Sequence, residues 1–186
     1  MLSMAHAWSM KKFSGVCVPF VLSMAFCIQG IAMEISSTAF EAGDLIPRQY
    51  TCDGEDMSPP LVFRDVPVKA KSLVLVMEDP DAPDPRAPRT VWVHWLLFNL
   101  PAGISGLPED VHALPEGVGQ GLNDWHRTGY GGPCPPIGRH RYVFKLYAVN
   151  MMLDHLHQPS KSELMHALQG HILDQAELIG FYERGE

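Results

Sequence analysis

Ser72-Leu73-Val74-Leu75-Val76-Met77 runs directly into Glu78-Asp79-Pro80-Asp81-Ala82-Pro83, and this junction decides the fold. The first six residues are β-branched or apolar almost without interruption, the pattern of a strand covered on both faces. Alternating prolines then fix φ and bias the residues before them towards extended backbone. Asp79 and Asp81 therefore belong to a stiff strand-end turn. An Asp-Pro turn facing solvent has the same local sequence, so this junction alone leaves function open.

Similar runs extend outward from it. Leu61–Phe63 follows a Ser58-Pro59-Pro60 turn, Val91–Leu100 (VWVHWLLFNL) stops at Pro101, and Tyr142–Val149 (YVFKLYAV) is a further strand. Gly, Pro or Asp clusters bound each. The sequence contains 16 glycines and 16 prolines, more than a helical bundle uses. One helix is signalled by the Ser160/Glu163 capping box ahead of Leu164, Met165 and Leu168, with Gly170 near its stop. Ala176–Tyr182 reads as a last strand. A Gly/Pro-rich stretch without periodicity separates Pro101 from His140, and long loops of this kind often carry function. The expectation is one mainly β domain over residues 33–186.

Residues 1–32 read as an address. They contain no acid; Lys11 and Lys12 precede an uncharged, apolar Phe13–Ile28, and Gly30-Ile31-Ala32 offers a small-residue cleavage site. This is the layout of a secretory signal peptide, with Met10 as an alternative start. A spanning helix needs roughly 20 apolar residues and tolerates Pro19 poorly. The expected location is periplasmic or secreted. Cleavage near Ala32 would remove Cys17 and Cys27, leaving Cys52 and Cys134, either paired or as two buried thiols. The net charge of −7, with no Lys/Arg cluster, argues against nucleic acid and against anionic membrane surfaces. An anion would have to be held by local donors.

Three further features carry candidate chemistry. His94 lies inside an apolar strand, and strict alternation puts Trp92, His94 and Leu96 on one face and Val93, Trp95 and Leu97 on the other. A buried imidazole needs partners, and a backbone carbonyl would suffice. Gly129-Tyr130-Gly131-Gly132-Pro133-Cys134-Pro135-Pro136 is a rigid loop whose N–H groups suit an anion, or simply a turn. In Gly138-Arg139-His140-Arg141-Tyr142, His140 and Tyr142 share one face. Asp79, Asp81, His94 and His140 lack metal-ligand spacing, and His155-Leu156-His157 reads as a solvated loop. There is no G-x-S-x-G elbow, Ser58 has no neighbouring base, and nothing beside Cys134 activates it.

In this order, Asp79-Pro80-Asp81-Ala82-Pro83, His94-Trp95, the Gly-Pro loop and Gly138-Arg139-His140-Arg141-Tyr142 resemble the phosphatidylethanolamine-binding protein family. Cys52-Asp53-Gly54, Gly121-Leu122-Asn123-Asp124 and Gly132-Pro133-Cys134-Pro135-Pro136 resemble its bacterial, Raf-kinase-inhibitor-like branch. The resemblance covers Ser37 to Arg184. It implies a β-sandwich with a few short peripheral helices and a small cavity for phosphate, phosphorylethanolamine or related anions. Carried onto this chain, the cavity walls are Asp79, Asp81, Trp92, His94, Gly132, Pro133, His140 and Tyr142, with Ala82 and Pro83 at the rim. The anion would accept from protonated histidines and loop N–H groups, with affinity fading as the histidines lose their protons. The resemblance further implies a binding or regulatory protein, protease- or kinase-inhibitor-like, with no cofactor or metal and a homodimeric state. The competing expectation is a phosphoester or headgroup hydrolase using the Asp/His pair as general acid and base.

Overall fold

The structure, a computed structural model, describes residues 32–185. The proposed address at 1–32 therefore lies almost wholly outside the described residues.

Two sheets make a sandwich. The smaller has the order β1-β2-β5, from Glu34–Ser36, Leu61–Arg64 and Gly106–Leu107. The larger has the order β6-β4-β3-β7-β8, from Gly119–Gln120, Trp92–Pro101, Ser72–Asp79, His140–Val149 and Ile172–Tyr182. All the named pairings are antiparallel. The mainly β architecture matches the reading of the sequence, with one α-helix, α1 at Lys161–Ala167, and a single 3₁₀ turn at Arg48–Tyr50 among the described residues.

The central strand β3 is buried at every position because it has a core on each face. Leu73, Leu75 and Met77 point between the sheets, where they meet Ile35, Leu61 and Phe63. Val74 and Val76 point outward, under Leu153, Leu164 and Leu168. Burying each such side chain contributes roughly 1.5–3 kcal/mol. The capping box of α1 forms as read: Ser160 Oγ accepts from the Glu163 N–H while the Glu163 carboxylate accepts from the Ser160 N–H. Glu78, also on the outer face, is buried against Lys145 Nζ at 2.8 Å and against Lys161 at the start of the helix. Those two ammonium groups outweigh burial and hold its carboxyl below the usual range.

Strand β4 departs from the expected alternation. Val93 packs on the outer face with Leu96 and Phe98, whereas Trp95 and Leu97 enter the inter-sheet core. The cause is a pair of bulges. Met77 pairs with Trp95 and Glu78 with Val93, so His94 has no partner on β3. A second irregularity brings Asn99 to φ 58°. An extra residue in one strand reverses the sense of alternation beyond it.

Asn99 fixes the second bulge chemically. Its buried side chain accepts from the Leu153 N–H at 2.8 Å and donates to Asp154 at 3.1 Å. An alanine there would lose these bonds and sit less easily at positive φ. Asn99→Ala is expected to lower stability by about 2–4 kcal/mol, read as a lower urea midpoint at unchanged m-value.

Candidate functional site

The strand order explains why three distant motifs meet. Because β4 and β7 both run antiparallel to β3, the C-terminal end of β3 lies beside the N-terminal ends of its two neighbours. Asp79 pairs with Trp92, and Glu78 pairs with both Val93 and Val143. At this end of the sheet a recess of about 290 Å³ opens. Asp79, Ala82, Pro83, Trp92, His94 and Tyr142 line it, joined by Trp125, Cys134 and Pro136. It lies at the small end of ligand pockets, which run from roughly 300 to 1,000 Å³.

Four expected wall residues stand elsewhere. His140 is fully buried behind Asp79, with Nδ1 at 2.7 Å from Asp79 Oδ2 and Nε2 at 3.0 Å from the Ile137 carbonyl. A carbonyl only accepts, so Nε2 carries a hydrogen. Nδ1 faces a carboxyl oxygen, so a second hydrogen lies between the two residues. Asp79 and His140 together are thus electrically neutral, wherever that shared proton resides. Asp79 Oδ1 accepts from the Asp81 N–H at 2.8 Å. Burial raises the Asp79 carboxyl above its ordinary range, although His140 and the Asp81 N–H oppose it.

Asp81 points away from the recess to Arg141. The guanidinium donates to both carboxylate oxygens, at 2.9 and 2.6 Å, and the Arg141 N–H adds a third bond at 2.9 Å. Arg141 accordingly holds the Asp81 carboxyl below its usual range. Asp81 is a clamp between the Asp-Pro turn and the start of β7. The Gly-Pro loop is also otherwise engaged. Gly131 N–H donates to the His94 carbonyl (3.2 Å), Gly132 N–H to Asp56 (2.7 Å), and the Pro133 carbonyl accepts from Cys52 N–H (3.1 Å). Gly132 has no room for a side chain, since a Cβ would lie 2.5 Å from the Tyr50 carbonyl.

The expectation that a protonated histidine grips an anion is therefore corrected on both counts. His140 is screened by Asp79. His94 reaches the recess through its bulge, but it is 2% exposed and Nδ1 donates to the Gly131 carbonyl at 2.7 Å. Burial lowers it to about 4, outweighing its loop carbonyl partners, so its ring is neutral at neutral pH. With Nδ1 carrying the hydrogen, Nε2 is a hydrogen-bond acceptor.

Trp125 was not anticipated. It follows Asn123-Asp124 on a loop, packs edge-on against His94 and Trp92 at 5.0 and 5.5 Å, and is 39% exposed. The Asn123 carboxamide organises that loop by accepting from the Trp125 and Arg127 N–H groups. A single large aromatic in a loop without periodicity was the available signal. Cys52 and Cys134 are joined in a disulfide, with Cα atoms 5.4 Å apart. Two polar atoms of lining residues, Trp92 Nε1 and Tyr142 Oη, are buried without a hydrogen-bond partner.

The described residues thus form a β-sandwich with an aromatic recess in front of a buried aspartate–histidine pair. The sequence model of phosphatidylethanolamine-binding proteins matches residues 36–183, and the chain belongs to that family. It is 48% identical over 156 residues to a UPF0098 protein of Methanothermobacter thermautotrophicus, covering 82% of this chain and all of that one. Among solved structures, the homologue CT736 of Chlamydia trachomatis superposes with TM-score 0.77 at 44% identity, over 82% of this chain and 98% of the other. YbcL of E. coli gives 0.74 at 30% identity, over 82% and 99%.

The buried neutral state of His94 links the site to stability. Between its ordinary 6.5 and about 4, an unfolded chain takes up a proton that the folded one refuses. Stability therefore falls as pH drops through that window. Wild type is expected to lose about 3 kcal/mol more than His94→Gln between pH 7 and pH 4, as measured by urea unfolding at each pH.

Proposed function

We propose that this protein binds a small phosphate-bearing ligand, of the phosphate or phosphorylethanolamine type, in the recess as an exported binding or regulatory protein. The observation that carries this reading is the pair of unpartnered buried donors, Trp92 Nε1–H and Tyr142 O–H, on the recess wall. A buried polar group without a partner costs roughly 1–3 kcal/mol, and an acceptor-rich ligand would recover that cost. Export is supported by the composition of residues 1–32 and by the Cys52–Cys134 bond, which suits an oxidising compartment.

Ligand charge matters, because the recess presents the carboxyl side of the Asp79–His140 pair and, among the described residues, no Lys or Arg lines it. A phosphate monoanion fits better than a dianion. Its P–OH can donate to His94 Nε2, its other oxygens can accept from Trp92 and Tyr142, and it brings less negative charge towards Asp79. A hydrolytic role is disfavoured by the same geometry. General bases work best with a pKa near the operating pH. His94 is far too acidic for that, and both nitrogens of His140 are engaged out of reach.

Titration calorimetry with O-phosphorylethanolamine from pH 5 to 8 tests the proposal. Affinity should fall as pH rises through about 6, where a phosphate monoester loses its second proton, and sulfate, which has no proton to donate, should bind less well. Trp92→Phe and Tyr142→Phe should each weaken binding about tenfold or more without lowering the stability of the free protein. No binding by wild type at pH 5, or full binding by both variants, would sink the assignment.

A further inference from the structure

We propose that the Cys52–Cys134 disulfide is a positioning element for the recess, so that its reduction weakens ligand binding. The inference rests on the ligand-binding reading above and adds a control over it.

Cys134 is itself a wall residue. It sits in the Gly-Pro loop, which is held on two sides. On one side the loop meets β4, where Gly131 donates to the His94 carbonyl and accepts from the His94 ring and Tyr130 packs edge-on against Trp95. On the other it meets the Thr51–Asp56 turn through the disulfide, the Cys52 N–H to Pro133 bond, the Gly132 N–H to Asp56 bond, and Tyr130 Oη donating to the Tyr50 carbonyl at 2.8 Å. Cys134 and Tyr142 line the same recess. The loop thus sets two ligand-facing groups: it orients the His94 ring through Gly131 and stands beside Tyr142 through Cys134.

The disulfide is the sole covalent tie between the loop and the turn, which are 82 residues apart in sequence. Both cysteines are only half-buried, so a reductant can reach them. A dithiol delivers two electrons and two protons: the Sγ–Sγ bond breaks, two cysteine thiols form, and the dithiol becomes a disulfide. Cys134 is then free to leave the wall, the restraint on Gly131 against His94 weakens to the remaining hydrogen bonds, and water gains access to the imidazole.

The experiment compares wild type oxidised, reduced with dithiothreitol and reoxidised, together with Cys52→Ser, which removes the bond while keeping the Cys134 residue itself. O-Phosphorylethanolamine affinity is read by calorimetry, and His94 titration by NMR well below the melting temperature. Reduction and Cys52→Ser should each weaken the probe by about tenfold, the equivalent of one good hydrogen bond. They should also move the His94 midpoint up from about 4 towards its ordinary 6.5, with both changes reversed on reoxidation of wild type. A lower melting temperature with unchanged affinity and His94 midpoint would show a staple that does not position the site, and would overturn the proposal. If the oxidised protein fails to bind the probe, the ligand assignment falls, and the His94 midpoint alone decides for or against the positioning role.

Discussion

The antiparallel placement of one strand between two others is the constraint on which the site depends. With β3 in the middle, a turn that begins at Asp79 cannot avoid the starts of β4 and β7. The bond between Asp79 and His140 then closes the contact across the β3–β7 pair, and Asp81 to Arg141 closes it a second time outside the recess. Truncating one partner of such a buried pair typically costs 3–5 kcal/mol, because the other is left uncompensated. The Asp-Pro turn is thus fastened at two points to a strand that starts some sixty residues later.

The electrostatics follow from that fastening. An aspartate exposed in a recess would repel an anion outright, whereas here the carboxyl shares a proton with a buried imidazole and the pair is neutral. Its negative end still faces the cavity. The remaining polar groups on the wall are neutral too: an indole N–H, a phenol and a histidine that burial keeps unprotonated. Among the described residues no fixed positive charge lines the wall, so its polarity rests on the number and placement of hydrogens.

Much of this was legible in the residues. The strand SLVLVM, the capping box and the final strand follow from periodicity and end signals, because burial on two faces and cap chemistry are local properties. The meeting of Asp79, Trp92, His94 and Tyr142 was legible from the order of the motifs through a family resemblance. What failed did so for tertiary reasons. Alternation along Val91–Leu100 breaks at the bulges, which pairing with β3 determines and composition does not reveal. His140 and Tyr142 do share a face, but one is the second layer and the other the wall, and depth has no period. The Gly131 and Gly132 N–H groups were free in the sequence and occupied in space by the His94 carbonyl and Asp56. Trp125 is brought in by a loop whose shape depends on the carboxamide of Asn123.

Glu78 and Asp79 are consecutive acids that leave the same strand in opposite directions. One meets two ammonium groups under the helix and is held ionised; burial drives the other towards its protonated form, against the pull of its imidazole partner. Sliding β3 by a single residue would exchange their environments, putting a fully charged glutamate against the aromatic hollow and an aspartate too short to reach both lysines. The strand therefore carries its own alignment check. Apolar packing alone would distinguish these two settings poorly in a segment as uniformly greasy as Leu73–Met77, and the two carboxyls make the choice unambiguous.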